Sequence, residues 1–264
     1  MISPTERMIA ESDGAIGWMT FNNPPRHNAL SLDMWQAMPV ILDHFARDPD
    51  VRVIVLRGAG DKAFISGADI SQFEKQRSSA ESIAQYDKIA ECALAALQEV
   101  SKPTIAMIHG FCIGGGLGVA LGCDLRIAAE NARFGIPAAR LGLGYRWGGV
   151  KKLVDLVGPA YAKEIFFTAR HFTAAEAQGM RLINRAVPEA ELEGYVRNYC
   201  ALIAENAPLT MEAVKGVVAE IGKPGMQIDR GRCEALVARC FDSKDYVEGR
   251  RAFMEKRKPV FVGK

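Results

Sequence analysis

The residues best suited to chemistry in this 264-residue chain are three consecutive glycines, Gly114-Gly115-Gly116. They follow an apolar strand pattern at Thr104–Ile108 and open a compact apolar helix pattern, so the N–H groups of the turn have no intrahelical acceptor and can bind an anion. A phosphate loop needs a lysine and a hydroxyl residue directly after the glycines, and a dinucleotide fold needs spaced glycines. Because neither pattern is present, we expect the turn to hold a small developing negative charge, such as that on a carbonyl oxygen.

A second turn lies upstream in the segment Lys62–Ile70, where a strand edge turns into a helix at Ser66-Gly67. Taken alone, Ser-Gly-Ala-Asp is a common turn. The carboxylates of Asp69 and Asp124 stand at element ends, where accepting backbone hydrogen bonds is a commoner role than proton transfer. Among the other reactive side chains, His27 is expected in a surface turn, and His109 and Cys112 are expected in the core.

The composition is that of an ordinary globular protein, with 49% hydrophobic and 24% charged residues. A formal charge of +2 gives no basic surface for nucleic acid, and no apolar run is long enough for a bilayer. The six cysteines form no C-x-x-C pair, so we expect buried, reduced thiols and no metal site. Without a secretory signal pattern at the N-terminus, a soluble cytoplasmic protein is expected.

Strand and helix patterns alternate up to Val187, and only amphipathic helix patterns follow Pro188. The sequence therefore predicts an α/β region over 1–187 and a helical C-terminal region over 188–264. Apolar faces on several successive helices, with little left to cover, indicate subunit contacts. The predicted strands are Ala15–Phe21, Val51–Leu56, Thr104–Ile108, Asp124–Ala129, Arg133–Ile136 and Leu182–Val187. The predicted helices are Leu32–Phe45, Ser79–Val100, one beginning near Thr173, Ala190–Glu205, Leu209–Ile221, Met226–Phe241 and Lys244–Lys256.

Four segments carry a resemblance in their order and spacing: Pro25–Leu30, Lys62–Ile70, Gly110–Asp124 and Lys256–Pro259. Together they resemble the enoyl-CoA hydratase/isomerase (crotonase) superfamily across almost the entire chain. The resemblance implies an α/β fold with a crotonase-type ββα spiral core and a C-terminal helical oligomerisation region. It further implies a homotrimer, often stacked into a homohexamer, that acts on an acyl-CoA thioester in fatty-acid metabolism. No cofactor is implied, because coenzyme A belongs to the substrate.

The resemblance also implies that the backbone N–H groups of Ala68 and Gly115 form an oxyanion hole for the thioester carbonyl, each donor contributing about 3 kcal/mol. It places Arg26, Asn28 and Leu30 along the pantetheine and nucleotide path, and Gly114 beside the substrate. It assigns the adenine groove to Ala63, Ala68, Asp69 and Ile70. Phe253 and Lys256 would reach the ligand of a neighbouring subunit, although a solvated basic tail explains Lys256 equally well.

At two positions the chain departs from the family pattern. Hydratases of this superfamily carry glutamates that match Gly118 and Ala138, so the usual pair for activating water and protonating the α-carbon is absent. The resemblance places Tyr145, Arg146 and Trp147 where the acyl pocket is expected, near the same wall.

This segment resembles the malonyl-type acyl-CoA decarboxylases, in which a tyrosine matching Tyr145 contacts the carboxylate, and Arg146 could bind the same group. The Trp147 ring is expected to pack. Three interpretations stay open: an acyl-CoA enzyme with non-standard acid/base groups, a decarboxylase, and a non-catalytic CoA-thioester binding protein.

Overall fold

The computed structural model describes residues 2–69, 79–223 and 225–264. The chain builds two β-sheets and a set of helices, numbered separately in chain order. Within the described ranges, each helix is too short or too polar to cross a lipid bilayer.

The larger sheet has seven strands in the order β1-β2-β3-β4-β6-β8-β11. Strands β1 to β3 pair antiparallel, and from β3 to β11 the neighbours pair parallel. Its strands are β1 (Ile2–Thr5), β2 (Met8–Asp13), β3 (Ile16–Phe21), β4 (Val53–Gly58), β6 (Thr104–Ile108), β8 (Leu125–Ala129) and β11 (Arg185–Val187).

The smaller sheet has four strands in the order β10-β9-β7-β5, with β5, β7 and β9 parallel and β10 antiparallel to β9. These strands are β5 (Ala63–Ile65), β7 (Phe111–Ile113), β9 (Arg133–Gly135) and β10 (Phe172–Thr173). The described helices are α1 (Leu32–Arg47), α2 (Ala80–Glu99), α3 (Gly115–Gly122), α4 (Trp147–Thr168), α5 (Ala174–Gly179), α6 (Leu192–Ala204), α7 (Pro208–Ile221), α8 (Arg230–Phe241) and α9 (Lys244–Glu255).

The central strand β4 is buried on both faces, as its continuous β-branched run predicts. Ile54 and Leu56 enter the main core with α1 and α2, whereas Val53 and Val55 face the opposite side. There they join Trp18 and the apolar face of α6. Helix α6 is therefore not among the several helices expected to have little to cover, because it covers the outer face of the sheet.

Short strands account for the main differences from the predicted elements. Strands β1 and β2 were not predicted, because their alternation is interrupted by Ser, Glu and Asp. The glycine turn does not follow β6 directly, because Gly110 (φ 54°) reverses the chain into β7 first. Helix α4 was also missed, since Gly158 (φ 76°) and Pro159 kink it near its middle. The Thr173 start of α5 is confirmed by a capping box with Glu176.

The last described strand ends at Val187, and helices α7, α8 and α9 bury few of their residues. The C-terminal tail is nevertheless tied back to the rest of the chain. Asp245 accepts hydrogen bonds from the N–H groups of Val262 (2.7 Å) and Gly263 (2.8 Å), and the Arg52 guanidinium donates to the Phe261 carbonyl at 2.7 Å.

Candidate active site

The turn after β5 is held by a short parallel pairing between Leu30 and Ala68. The Leu30 N–H donates to the Gly67 carbonyl at 2.8 Å, and the Asp69 N–H donates to the Leu30 carbonyl at 2.9 Å. In such a pairing, alternate residues of one strand bond to the partner, so the Ala68 N–H between them points away from Leu30. Gly67 has φ 122°, a conformation that suits only glycine.

The turn before α3 is fixed by glycine for two different reasons. Gly114 has φ 54° and ψ −114°, and its N–H donates to the Gly135 carbonyl at 2.8 Å. A Cβ on Gly116 would lie 2.2 Å from the Ile65 carbonyl oxygen, so only glycine lets α3 begin this close to β5. Both constraints bring the first turn of α3 against the Ala68 turn.

These constraints bring Gly115 close to the backbone nitrogen of Ala68. A β-carbon built on Gly115 would lie 3.8 Å from the Ala68 nitrogen. Gly115 is the first residue of α3, so its N–H has no intrahelical acceptor. Among the hydrogen bonds of the described residues, neither of these two N–H groups donates to the protein. The pair can therefore donate two hydrogen bonds to one oxygen, with the positive end of the helix dipole behind them.

Gly118 and Ala138, the two positions that the resemblance matches to hydratase glutamates, differ in their surroundings. Gly118 lies one turn after Gly115, and a Cβ there would have no atom of the described part of the chain within 4 Å. Ala138 is buried, with 4% of its surface exposed, in the 3₁₀ turn Pro137–Leu141. Neither side chain can transfer a proton.

Tyr145, Arg146 and Trp147 lead into α4, which packs against α3. The Tyr145 ring is half-buried and contacts Phe166 edge-on, with centroids 4.9 Å apart. Arg146 pairs with Asp87 of α2 at 2.6 Å and 2.7 Å, and these hydrogen bonds raise the pKa of its guanidinium. Trp147 is 72% exposed, so the expectation that its ring packs is wrong for this chain.

The residues expected along the CoA path differ in how much of their surface is exposed. Arg26 is exposed and lies 3.9 Å from Asp69, whose side chain is 9% exposed. Leu30 and Ala63 are buried, each with 1% of its surface exposed. Asn28 is fully buried, and its amide donates to the carbonyls of Ala59 (2.9 Å) and Ala63 (2.7 Å).

The Asn28 side-chain oxygen also accepts the Asn23 N–H at 2.9 Å, so this side chain holds the turn together. Ile70 lies outside the described residues.

Phe253 and Lys256 stand apart from this group, at the end of α9. Phe253 is 82% exposed and borders a groove of about 1060 Å³ between α7, α8 and α9. Lys256 ends the helix in a left-handed conformation with φ 52°.

The surroundings of the other reactive side chains agree with their expected positions for Asp124 and His27 and differ for His109. Asp124 accepts hydrogen bonds from the Thr104 N–H (2.8 Å) and hydroxyl (2.9 Å) and from Lys215 at 2.8 Å, as expected of a structural carboxylate. His27 is exposed in a turn, also as expected. His109 is only half-buried, and its burial lowers the pKa of the imidazole.

All six cysteines are free, but their burial differs from the expectation. Cys112, Cys123 and Cys200 are buried, and burial raises the pKa of Cys123 to about 12, whereas Cys92 is exposed.

Two residues that shape the candidate site were not identified from the sequence. The Gly135 carbonyl orients the glycine turn, and a backbone acceptor leaves no signal in residue type. Asp87 meets Arg146 across 59 positions of chain, and no local pattern connects them.

With this geometry established, comparison with known proteins is informative. The family description "Enoyl-CoA hydratase/isomerase" matches residues 11–264. The chain is 34% identical to a short-chain-enoyl-CoA hydratase of Clostridium acetobutylicum over 255 residues, covering 95% of each protein. It is also 34% identical to a crotonyl-CoA hydratase of Syntrophomonas wolfei, covering 98% of this chain and 99% of the relative.

Among solved structures, an enoyl-CoA hydratase/carnithine racemase from Magnetospirillum magneticum superposes with a TM-score of 0.92 at 36% identity, covering 98% of this chain and 97% of that one. The chain therefore belongs to the enoyl-CoA hydratase/isomerase family and has the crotonase fold.

Proposed function

We propose that the protein is an enzyme that binds an acyl-CoA thioester and stabilises an enolate through the N–H groups of Ala68 and Gly115. The observation that carries this proposal is that the N–H groups of Ala68 and of Gly115, the first residue of α3, donate to no acceptor among the described residues. Membership of a family whose relatives are named hydratases supports the substrate class.

In this mechanism the thioester carbonyl oxygen accepts both N–H groups. Removing a proton from the α-carbon, or adding a nucleophile at the β-carbon of a conjugated acyl group, moves an electron pair onto that oxygen. The two donors are already oriented by the Leu30 pairing and the Gly135 carbonyl, so they stabilise the charge without reorganisation, each typically by about 3 kcal/mol. Because Gly118 and Ala138 cannot transfer protons, the acid/base step requires another side chain or a bound water. Tyr145 is the polar side chain that we place beside the acyl group.

The proposal is tested by incubating the purified protein with a panel of enoyl-, 3-hydroxyacyl- and malonyl-type CoA esters, with products identified by mass spectrometry. Turnover of at least one ester, with loss or gain of water or movement of a double bond, is expected. Release of carbon dioxide from the malonyl-type ester alone would instead identify a decarboxylase. Binding of esters without turnover of any would identify a CoA-thioester binding protein.

One observation orders these alternatives. Arg146 is the cation that could bind a second carboxylate beside Tyr145, and it is already paired with Asp87 at 2.6 Å. An acidic acyl group would have to displace that carboxylate. Enolate chemistry on an uncharged acyl group needs no such exchange, and we therefore place it first.

We also propose that the protein assembles as a homotrimer or homohexamer in the cytoplasm. Exposed apolar residues on α7, α8 and α9 support the assembly: Val214, Val218, Ile221, Phe241, Phe253 and Met254. Lys256 follows Phe253 closely, so an assembly through this surface would bring its ammonium group near a neighbouring subunit. The six free thiols support a reducing compartment.

A further inference from the structure

Gly118 lacks a side chain although neither packing nor backbone geometry requires it. Two other glycines of α3 are crowded, because a Cβ would meet the Ile65 carbonyl oxygen at 2.2 Å from Gly116 and the Leu97 Cδ2 at 2.9 Å from Gly122. Among the atoms of the described residues, a Cβ at Gly118 would meet nothing within 4 Å, and the residue does not have positive φ. A helix with glycine at an interior position is less stable than one with alanine, so neither helix stability nor packing explains the glycine at this position.

Gly118 lies on the same partly exposed face of α3 as Gly115. Helix α3 is otherwise buried, with Gly116, Leu117 and the run 119–122 in the core. Gly115 and Gly118 are its partly exposed residues, and they lie on one face because they are three residues apart. Three residues advance a helix by about 4.5 Å, so an oxygen held on the Gly115 N–H leaves the next carbons of its acyl chain over Gly118.

We propose that the open space over Gly118 receives an apolar substituent on the α- or β-carbon of the acyl group, so that Gly118 selects branched acyl-CoA thioesters. This inference rests on the proposed acyl-CoA function. An alkyl branch fits the site because α3, with the sequence GGLGVALG, presents no polar side chain. An alanine methyl at this position would occupy the same space as the branch.

The test measures binding rather than turnover, using saturated ligands in isothermal titration calorimetry. Butyryl-CoA, 2-methylbutyryl-CoA and 3-methylbutyryl-CoA are compared on the unmodified protein and on Gly118→Ala. The variant should fold, because alanine is the better helix former and its methyl group has room. Gly194→Ala is the matched control, because Gly194 lies in the distant helix α6 and a Cβ there also meets nothing within 4 Å.

The unmodified protein is expected to bind at least one branched ester as tightly as butyryl-CoA or more tightly. Gly118→Ala should weaken that ester by about tenfold or more and change butyryl-CoA by less than about fourfold. Gly194→Ala should change neither.

Two results would overturn the inference and leave the proposed function standing. One is that Gly118→Ala weakens straight and branched esters equally. The other is that the unmodified protein binds butyryl-CoA more tightly than both branched esters. A folded protein that binds none of the three esters would overturn both.

Discussion

Asn28 stands in the first sequence motif, where a ligand contact is expected, yet its side chain is fully buried and makes three hydrogen bonds to backbone groups. Its φ of 57° adds a second reason for its identity, since asparagine tolerates the left-handed region better than most residues. The sequence marks the residue, but only the structure shows that its side chain faces inward. The roles of Gly67 and Gly114 were easier to anticipate, because the conformations that require glycine are local.

Asn28→Ala is expected to lower the free energy of unfolding by about 2–4 kcal/mol, because three backbone groups, two in part-buried and one in a buried hydrogen bond, would lose their partner. Urea denaturation measures the loss. Asn22→Ala is the control, since Asn22 makes an exposed hydrogen bond to Glu6 and should cost less than about 1 kcal/mol. Unchanged stability of Asn28→Ala, together with weakened binding of a CoA ester, would show that the side chain serves the ligand instead.

Hydration of crotonyl-CoA by the unmodified protein is expected to be slow, because each missing acid/base group is worth about 10² to 10⁴ in rate. Gly118→Glu combined with Ala138→Glu should raise the rate, measured by loss of the enoyl absorbance. The Gly118 position has room for the side chain, whereas Ala138 is 4% exposed and must be opened to admit one.

The paired variant Gly118→Gln with Ala138→Gln is the control, since it adds nearly the same volume without a carboxylate. Fast hydration by the unmodified protein, or equal rates for the glutamate and glutamine pairs, would contradict this account of the two positions.

At the scale of elements, a long apolar run correctly predicted the buried strand that it forms. Strand β4 is buried on both faces because it lies between the main core and α6, and its run of Val, Ile and Leu indicates this. Strands of three residues carry no periodicity: β5 was anticipated only as a strand edge within Lys62–Ile70, and β7 was not predicted. They are nevertheless the elements that hold the site, because α3 packs against both of them.

The contact between α3 and β5 can be tested with two glycines in one helix. Gly116→Ala should destabilise the protein by about 1–3 kcal/mol, because its Cβ would lie 2.2 Å from a backbone oxygen that cannot move freely. Gly118→Ala should stabilise it by up to about 1 kcal/mol. Urea denaturation of the two variants measures both, and equal midpoints would argue against the close packing described here.

At the scale of the whole molecule, the helices of the C-terminal region differ in whether their apolar faces are covered. Helix α6 contributes Leu192, Val196 and Cys200 to the core on the outer face of the sheet. Helices α7 to α9 instead border the apolar groove that ends at Phe253. The sequence shows amphipathic faces on all of these helices alike, because periodicity reports that a face is apolar and not what covers it.

Multi-angle light scattering of the unmodified protein is expected to give the mass of a trimer or a hexamer. The double variant Val218→Glu with Phe253→Glu should shift the protein to smaller species while circular dichroism stays unchanged, because it places charges on the exposed apolar surface. Val40→Glu is the control, since Val40 is 53% exposed on α1, away from this surface. A stable monomer of the unmodified protein at micromolar concentration would count against the assembly.

The central claim is that the Gly115 N–H donates to the substrate oxygen, and comparison of two variants at this residue tests it most directly. Gly115→Pro removes the donor at the first helical position, where proline fits a helix. Gly115→Ala keeps the donor and introduces a Cβ at 3.2 Å from the Leu30 Cδ1, so it controls for crowding.

With the best ester from the substrate panel, Gly115→Pro should lower kcat by about 10² to 10³, whereas Gly115→Ala should stay within about tenfold of the unmodified protein. A folded Gly115→Pro variant with unchanged kcat, or an alanine variant that loses as much as the proline variant, would contradict the claim.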